Sequence, residues 1–263
     1  FEEENIAFDY ISGASSGIIV ATLYACGYTA DEIYTLFQHY AKKIKYVEWK
    51  NIFKLILGLI FQREIIIDGL NSGKVIEEII DQACMEKGIH NIKQIKKKLL
   101  ISSVGLNEGC VYLFSSIPLS RGECESIQYV TDIPIAKAVR ASCSYPGIFS
   151  PCYHEGEVLV DGGIRENVPW KELKANGVDK VISIVFPKRV KYKSKKNIVD
   201  IICDSIDLMG KELANYELEG ADYLLKIDTI NTSLLDISKL KYFYQRGYEQ
   251  TKKEIQKIKK LIK

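Results

Sequence analysis

The stretch Phe8-Asp9-Tyr10-Ile11-Ser12-Gly13-Ala14-Ser15-Ser16-Gly17-Ile18-Ile19-Val20-Ala21 decides how the rest of the chain reads. Phe8 to Ile11 is short, aromatic and β-branched, the composition of a buried strand. Small residues from Ser12 to Gly17 break it, and Ile18 to Cys26 then reads as a helix with Gly27 placed at its C-terminal cap. Inside the break, Gly13-Ala14-Ser15-Ser16-Gly17 fits G-x-S-x-G. A serine on so sharp a strand-to-helix turn projects its hydroxyl clear of the backbone. Glycines two residues to either side permit a close crossing and leave room for substrate. The helix behind it aims backbone N–H groups and a partial positive charge at a developing oxyanion. The plainer alternative is a tight turn that serves packing alone.

Working outward, Thr29-Ala30-Asp31-Glu32 has the spacing of a capping box, and Ile33, Leu36, Phe37, Tyr40 and Ala41 share one side of the helix it starts. Asp68 to Gly73 turns the chain into a helix over Lys74 to Cys84. Leu99 to Val104 and Val111 to Ser115 are strand-like, and Ile135 to Ser142 is helical, stopping before Pro146. Tyr153 to Glu157 reads as a hairpin, and Val158 to Val160 as a strand stopped by Asp161-Gly162-Gly163. Lys180 to Phe186 has the continuous apolar run of a parallel strand. Strands alternating with helices predict an α/β fold, a mainly parallel central sheet covered on both faces in three α/β/α layers. No composition break marks a linker, so residues 1–263 read as one domain.

Composition agrees. With 47% hydrophobic residues among 263, the chain has enough apolar matter for a large core, which excludes disorder. Lys and Arg number 36 against 34 Asp and Glu, a balance that gives no reason to expect nucleic acid as a partner. Seven cysteines, none in C-x-x-C spacing, suggest neither a disulfide framework nor a zinc ribbon. They read as small core residues in a reducing, cytoplasmic setting. No cluster at metal-ligand spacing stands out, so no metal and no cofactor is expected.

A serine is a weak nucleophile until a base takes its proton. The three histidines, His39, His90 and His154, are poorly placed for a Ser-His-Asp order. His39 falls on an amphipathic helix, His90 in a polar stretch, and His154 in the hairpin before Asp161. Asp161 is the better partner: it ends a strand, and parallel strands would bring its carboxylate to the edge where Ser15 stands. An Asp-Gly-Gly surface turn is the plainer reading of the same residues.

Three separated blocks carry a resemblance. Ser12 to Ala21 is similar to the nucleophile elbow of the patatin-like phospholipases. Ala138 to Pro151 is similar to their R-A-S-x-S-x-P-x-x-F-x-P stretch, and Leu159 to Pro169 to their D-G-G-x-x-x-N-x-P block; Gly69 to Lys74 resembles a common family turn. The resemblance implies a three-layer patatin-like fold and lipid acyl hydrolysis by a dyad with Ser15 as nucleophile and Asp161 as base. Gly13, Ser16, Gly17, Gly162 and Gly163 are the backbone candidates for substrate and oxyanion contact. In this family a glycine-rich oxyanion loop follows the first strand, and the chain as given is expected to lack both, its domain being incomplete at the N-terminal side of Phe1.

The activity expected is cleavage of carboxylic ester bonds in lipids, as a phospholipase A or lysophospholipase does. The alternatives are an acyltransferase using the same dyad and an inactive binding module. A lipid substrate raises the question of peripheral membrane contact. Trp49 to Ile67 is the most apolar segment and reads as a buried core helix ahead of a lid or interfacial helix. The basic run Lys188 to Lys196 reads as a solvated loop ahead of a headgroup contact. The Lys-rich C-terminal helix from Thr251 is expected to dock through Ile255, Ile258 and Ile262.

Overall fold

The computed structural model describes residues 1–44, 47–62, 67–119, 126–187, 198–229 and 237–262. The basic run 188–196 therefore lies outside the described residues. Ten strands are β1 (Tyr10–Gly13), β2 (Gly69–Asn71), β3 (Lys98–Gly105), β4 (Val111–Ser115), β5 (Ile127–Val130), β6 (Gly147–Phe149), β7 (Cys152–His154), β8 (Glu157–Asp161), β9 (Ile182–Val185) and β10 (Tyr223–Lys226). The α-helices are α1 (Ser15–Ala25), α2 (Ala30–Tyr40), α3 (Trp49–Leu57), α4 (Lys74–Glu86), α5 (Ile135–Ser142), α6 (Trp170–Ala175), α7 (Ile198–Glu217) and α8 (Leu240–Leu261).

Local signals in the sequence act as the physics requires. Thr29 accepts from Glu32 N while the Glu32 carboxylate accepts from Thr29 N, a complete capping box at the start of α2. Gly27 follows α1 with φ +94°, a conformation that ends the helix without a Cβ penalty.

The expectation of a mainly parallel sheet is corrected. The six-stranded sheet pairs β1 with β3 and β4 with β5 in parallel, but β3 with β4, β3 with β8 and β7 with β8 antiparallel. Connection length explains two of the three antiparallel pairs, β3 with β4 and β7 with β8. Only the turn 106–110 separates β3 from β4, and only Glu155-Gly156 separates β7 from β8, and links this short can make hairpins but not crossovers. The parallel strand expected over Lys180 to Phe186 does form, as β9, but pairs β10 in a separate two-stranded sheet.

The central strand β3 is buried on both faces. Leu99 and Ile101 join a core with Ile18, Ile80, Phe114 and Val139, under α1, α4 and α5. Leu100, one residue out of phase, joins Leu113, Trp170 and Leu173, under α6. Helices on both faces thus give the layered α/β arrangement. At the C-terminal helix α8, Ile255 and Ile258 are buried against Ile6, whereas Ile262 stays exposed.

The second correction concerns α3, expected in the core. Trp49, Phe53 and Ile56 face solvent, as do Ile60 and Phe61 in the π-helical turn Gly58–Gln62 that follows. The side turned to the body is held by polar contacts: Asn51 is buried and donates to Gly69 O at 3.2 Å, and Glu48 N donates to Leu70 O at 2.9 Å. Denaturant unfolding checks this placement. Phe53→Ala is expected to cost less than about 0.5 kcal/mol, the figure for an exposed site, whereas Ile101→Ala is expected to cost about 2–5 kcal/mol through its buried cavity.

Candidate active site

Two strands approach each other along one edge of β3. β1 runs parallel to β3 and ends with Gly13 opposite Ile101; β8 runs antiparallel and ends with Asp161 opposite Ser103. The facing positions are two residues apart, so about 7 Å of strand separates the two ends. The elbow after β1 and the turn after β8 therefore share one spot beside Ser102. Convergence of strand ends was expected from parallel pairing; it arises from opposed strands instead.

Ser15 opens α1 with φ +53°, a left-handed conformation strained for a residue with a Cβ. Its backbone is held from both sides by the end of α5. Ser15 N donates to Ser142 Oγ at 3.1 Å, and the Cys143 thiol donates to Ser15 O at 3.2 Å. The first-turn N–H groups of Ser16 and Gly17 meet no side-chain cap, because the N-cap residue is Ala14. Both residues are exposed, and a Cβ at Gly17 would meet nothing within 4 Å, so open space adjoins the serine. At Gly13 a Cβ would sit 3.5 Å from Ile18 N, an ordinary contact. Close strand–helix crossing is therefore not what glycine serves there.

Asp161 is 2% exposed. Its N–H donates to Ser144 O at 3.0 Å, and its Oδ1 accepts from Gly163 N at 2.8 Å. Its Oδ2 is buried with no hydrogen-bond partner among the described residues. The Ser15 hydroxyl approaches closely enough to draw the carboxyl pKa down, but as a near contact and not a completed bond to that oxygen. Burial outweighs this and, with a small push from Asp207, lifts Asp161 to about 6. Gly162 packs onto β3 so tightly that a Cβ would lie 2.4 Å from Ser102 Oγ; no other residue fits. Gly163, a backbone candidate for oxyanion contact, directs its N–H to the Asp161 carboxylate instead.

The Arg140-Ala141-Ser142-Cys143-Ser144 block is the brace between the two. Arg140 is buried and donates to Ser144 Oγ, to Ser72 O and, at 2.6 Å, to Ser150 O. Its guanidinium fork replaces hydration with three fixed acceptors. Gly73, at φ +69°, gives it room, since a Cβ there would lie 2.4 Å from Arg140 Nε.

Sequence reasoning missed α7 altogether. Tyr145 donates to Cys203 O and to Asp207 Oδ1, both at 3.0 Å, and Gly210 lies against Gly163, so α7 roofs the site. Ser15 and Asp161 both line a cleft of about 3460 Å³ whose walls also include Gly210 of α7 and Ile262. The glycine at 210 was the one available signal, and it is uninformative without a partner surface. A second perturbed carboxyl, Glu166, is pushed up to about 8 by burial and by Glu172 and Glu217. His154 lies elsewhere: it pairs Glu157, about 13 Å along β8 from Asp161, and its ring packs edge-on to Phe114.

A family model described as patatin-like phospholipase matches residues 1–174 of the 263. The chain belongs to the patatin-like phospholipase family. Membership brings general lipid-hydrolase activity of the phospholipase kind. Among relatives, protein YqhO of Bacillus subtilis is 28% identical over 213 residues, covering 75% of this chain and 67% of that protein. Protein R571 of Acanthamoeba polyphaga mimivirus is 27% identical over 271 residues, covering 94% and 83%. Lysophospholipase NTE1 of Candida albicans is 24% identical over 183 residues; the match covers 70% of this chain but 11% of that protein. Among solved structures, VipD from Legionella pneumophila aligns with a TM-score of 0.41 at 13% identity, over 93% of this chain and 61% of that one.

The strain at Ser15 is measurable in this patatin-like chain. Ser15→Gly is expected to be more stable than Ser15→Ala by about 1 kcal/mol, because glycine alone occupies the left-handed region freely. Equal stabilities in thermal or denaturant unfolding would show that the elbow is unstrained.

Proposed function

We propose that the chain hydrolyses carboxylic ester bonds of lipids through an acyl-enzyme on Ser15, with Asp161 as the base, in the manner of a phospholipase A or lysophospholipase. What supports this reading is a strained serine beside a buried carboxylate whose Oδ2 has no hydrogen-bond partner among the described residues. The lysophospholipase name of the yeast relatives agrees with it.

In the first step the Ser15 hydroxyl proton passes to Asp161 as Oγ attacks the ester carbonyl carbon. The resulting oxyanion faces the uncapped N–H groups of Ser16 and Gly17 at the start of α1. Collapse breaks the ester C–O bond, and the departing alkoxide takes the proton from Asp161. In the second step Asp161 accepts a proton from water, whose oxygen attacks the acyl carbon. Ser15 leaves with that proton and the fatty acid is released. A carboxylate at its ordinary value near 3.8 would be a feeble base; one lifted to about 6 by burial lies closer to working pH. Lipid substrate reaches the cleft from a peripheral contact with a membrane, and the protein works in the cytoplasm.

Two outcomes follow. Ser15→Ala is expected to lower ester turnover by a factor on the order of 10³ or more and to abolish labelling by a fluorophosphonate. Wild-type turnover in that variant would remove Ser15 from the chemistry. For pH, kcat/KM is expected to rise through an apparent pKa of about 6, since only ionised Asp161 accepts the proton. Stability runs the opposite way. A pKa raised in the fold makes the native state bind the proton more tightly, so stability is full below the unfolded value near 3.8 and is lost as pH rises through about 6. The loss is roughly 3 kcal/mol, so Asp161→Asn gains stability relative to wild type at neutral pH and not at acid pH.

A further inference from the structure

The outward side of α3 is the least expected surface of the molecule. At 100° per residue Trp49, Phe53 and Ile56 fall within about 60° of arc, and Ile60 and Phe61 extend the same ridge through the π-helical turn. Trp49 is 85% exposed, Phe61 77% and Phe53 63%, although this is the most apolar run of the chain. Asn51, on the opposite side, is buried on β2. Leu55, next to Asn51 on that side, is half-buried, as is Ile52, so the helix docks through Asn51 and two aliphatic residues and still turns its aromatic residues to water.

Within the segment that carries the ridge the charges have one sign. From Trp49 to Gln62 the charged residues are Lys50 and Lys54, both exposed, and no acid interrupts the segment. Glu48, just before it, pairs with Lys50 at 2.9 Å and also holds Ser72. Position matters as well. β2 beneath α3 pairs with β6, and β6 and the Gly162–Ile164 turn both contact α7, the roof of the site. The first half of α7 also exposes Ile198, Ile201 and Ile202, but with them Asp204, which an anionic surface would repel.

We infer that α3 is an interfacial anchor: the ridge Trp49, Phe53, Ile56, Ile60 and Phe61 inserts into the headgroup–acyl boundary of an anionic lipid bilayer, with Lys50 and Lys54 on its headgroups. An amphipathic helix with aromatic and aliphatic groups on one side and lysines flanking it lies in such an interface, gaining from apolar burial and from anionic headgroups together. Indole belongs at that depth, being apolar in body and polar at one edge. A second protein copy would cover the apolar ridge equally well, but the one-signed flanks of two identical ridges would meet like to like. The helix lies on the surface and does not span: no helix among the described residues is long and apolar enough to cross a membrane. This inference deepens the lipid-hydrolase reading by naming the surface from which substrate is taken.

The sequence supplies its own reporter, because one of its two tryptophans is Trp49 and the other, Trp170, is buried. The full chain is mixed with phosphatidylcholine vesicles and with vesicles rich in phosphatidylglycerol. The Trp49 emission is expected to shift to the blue on the anionic vesicles, more than on the neutral ones, and to be quenched by acyl-chain bromines. Phe53→Ser with Ile60→Ser is expected to lower co-sedimentation by on the order of tenfold or more while leaving hydrolysis of a soluble short-chain ester unchanged. Emission unmoved by either vesicle overturns the inference, and so does co-sedimentation undiminished in the double variant. A dimer in sedimentation velocity that the double variant abolishes overturns it too, in favour of a second copy. The two readings fail separately: a wild type that binds vesicles but hydrolyses no soluble ester contradicts the hydrolase and leaves the anchor standing.

Discussion

The interaction on which the site depends is the meeting of two strand ends beside Ser102. β3 offers one edge to two strands, β1 along its first half and β8 along its second, and they run toward each other. Each ends in a tight turn, and the turns carry a serine and a carboxylate. Because both strands are hydrogen-bonded to the same neighbour, the separation of the two side chains is set by the sheet register. Ser142 Oγ on the backbone of Ser15 and Ser144 O on that of Asp161 then fix the remaining freedom. Arg140, buried behind them, holds Ser144 and the segments at Ser72 and Ser150 together.

That arrangement is costly to the fold, and the cost has a use. A carboxylate that is 2% exposed and only half satisfied opposes its own ionisation, which gives it the basicity that the proposed chemistry needs. A serine at φ +53° likewise holds strain that the surroundings must over-determine. The compensation lies in a β3 strand buried on both faces and in cores above and below it. Stability is concentrated where nothing reacts.

Much of this was legible in the sequence because the signals are local. The Thr29–Glu32 box, Gly27 beyond α1, α5 over Ile135 to Ser142 and β4 over Val111 to Ser115 all rest on contacts within a few residues. Ser15 and Asp161 were both singled out, and they lie together. What failed needed long-range information. Strand direction depends on the length of the links after β3 and β7, of which only the second reads as a hairpin in the sequence. The helix α3 reads as buried because its segment is the most apolar of the chain, and apolar content alone does not say which way side chains face. β2 and β6, three residues each, exist only through each other, and α7 gave no sign of its place over the site.

The most direct measurement is a titration of Asp161 itself, by the carboxyl carbon shift of selectively labelled protein, in the wild type and in Ser15→Ala. The account predicts a midpoint near about 6 that moves upward when the serine hydroxyl is removed, because that hydroxyl favours the ionised form. A midpoint at the ordinary aspartate value, or one indifferent to the loss of the hydroxyl, would contradict it.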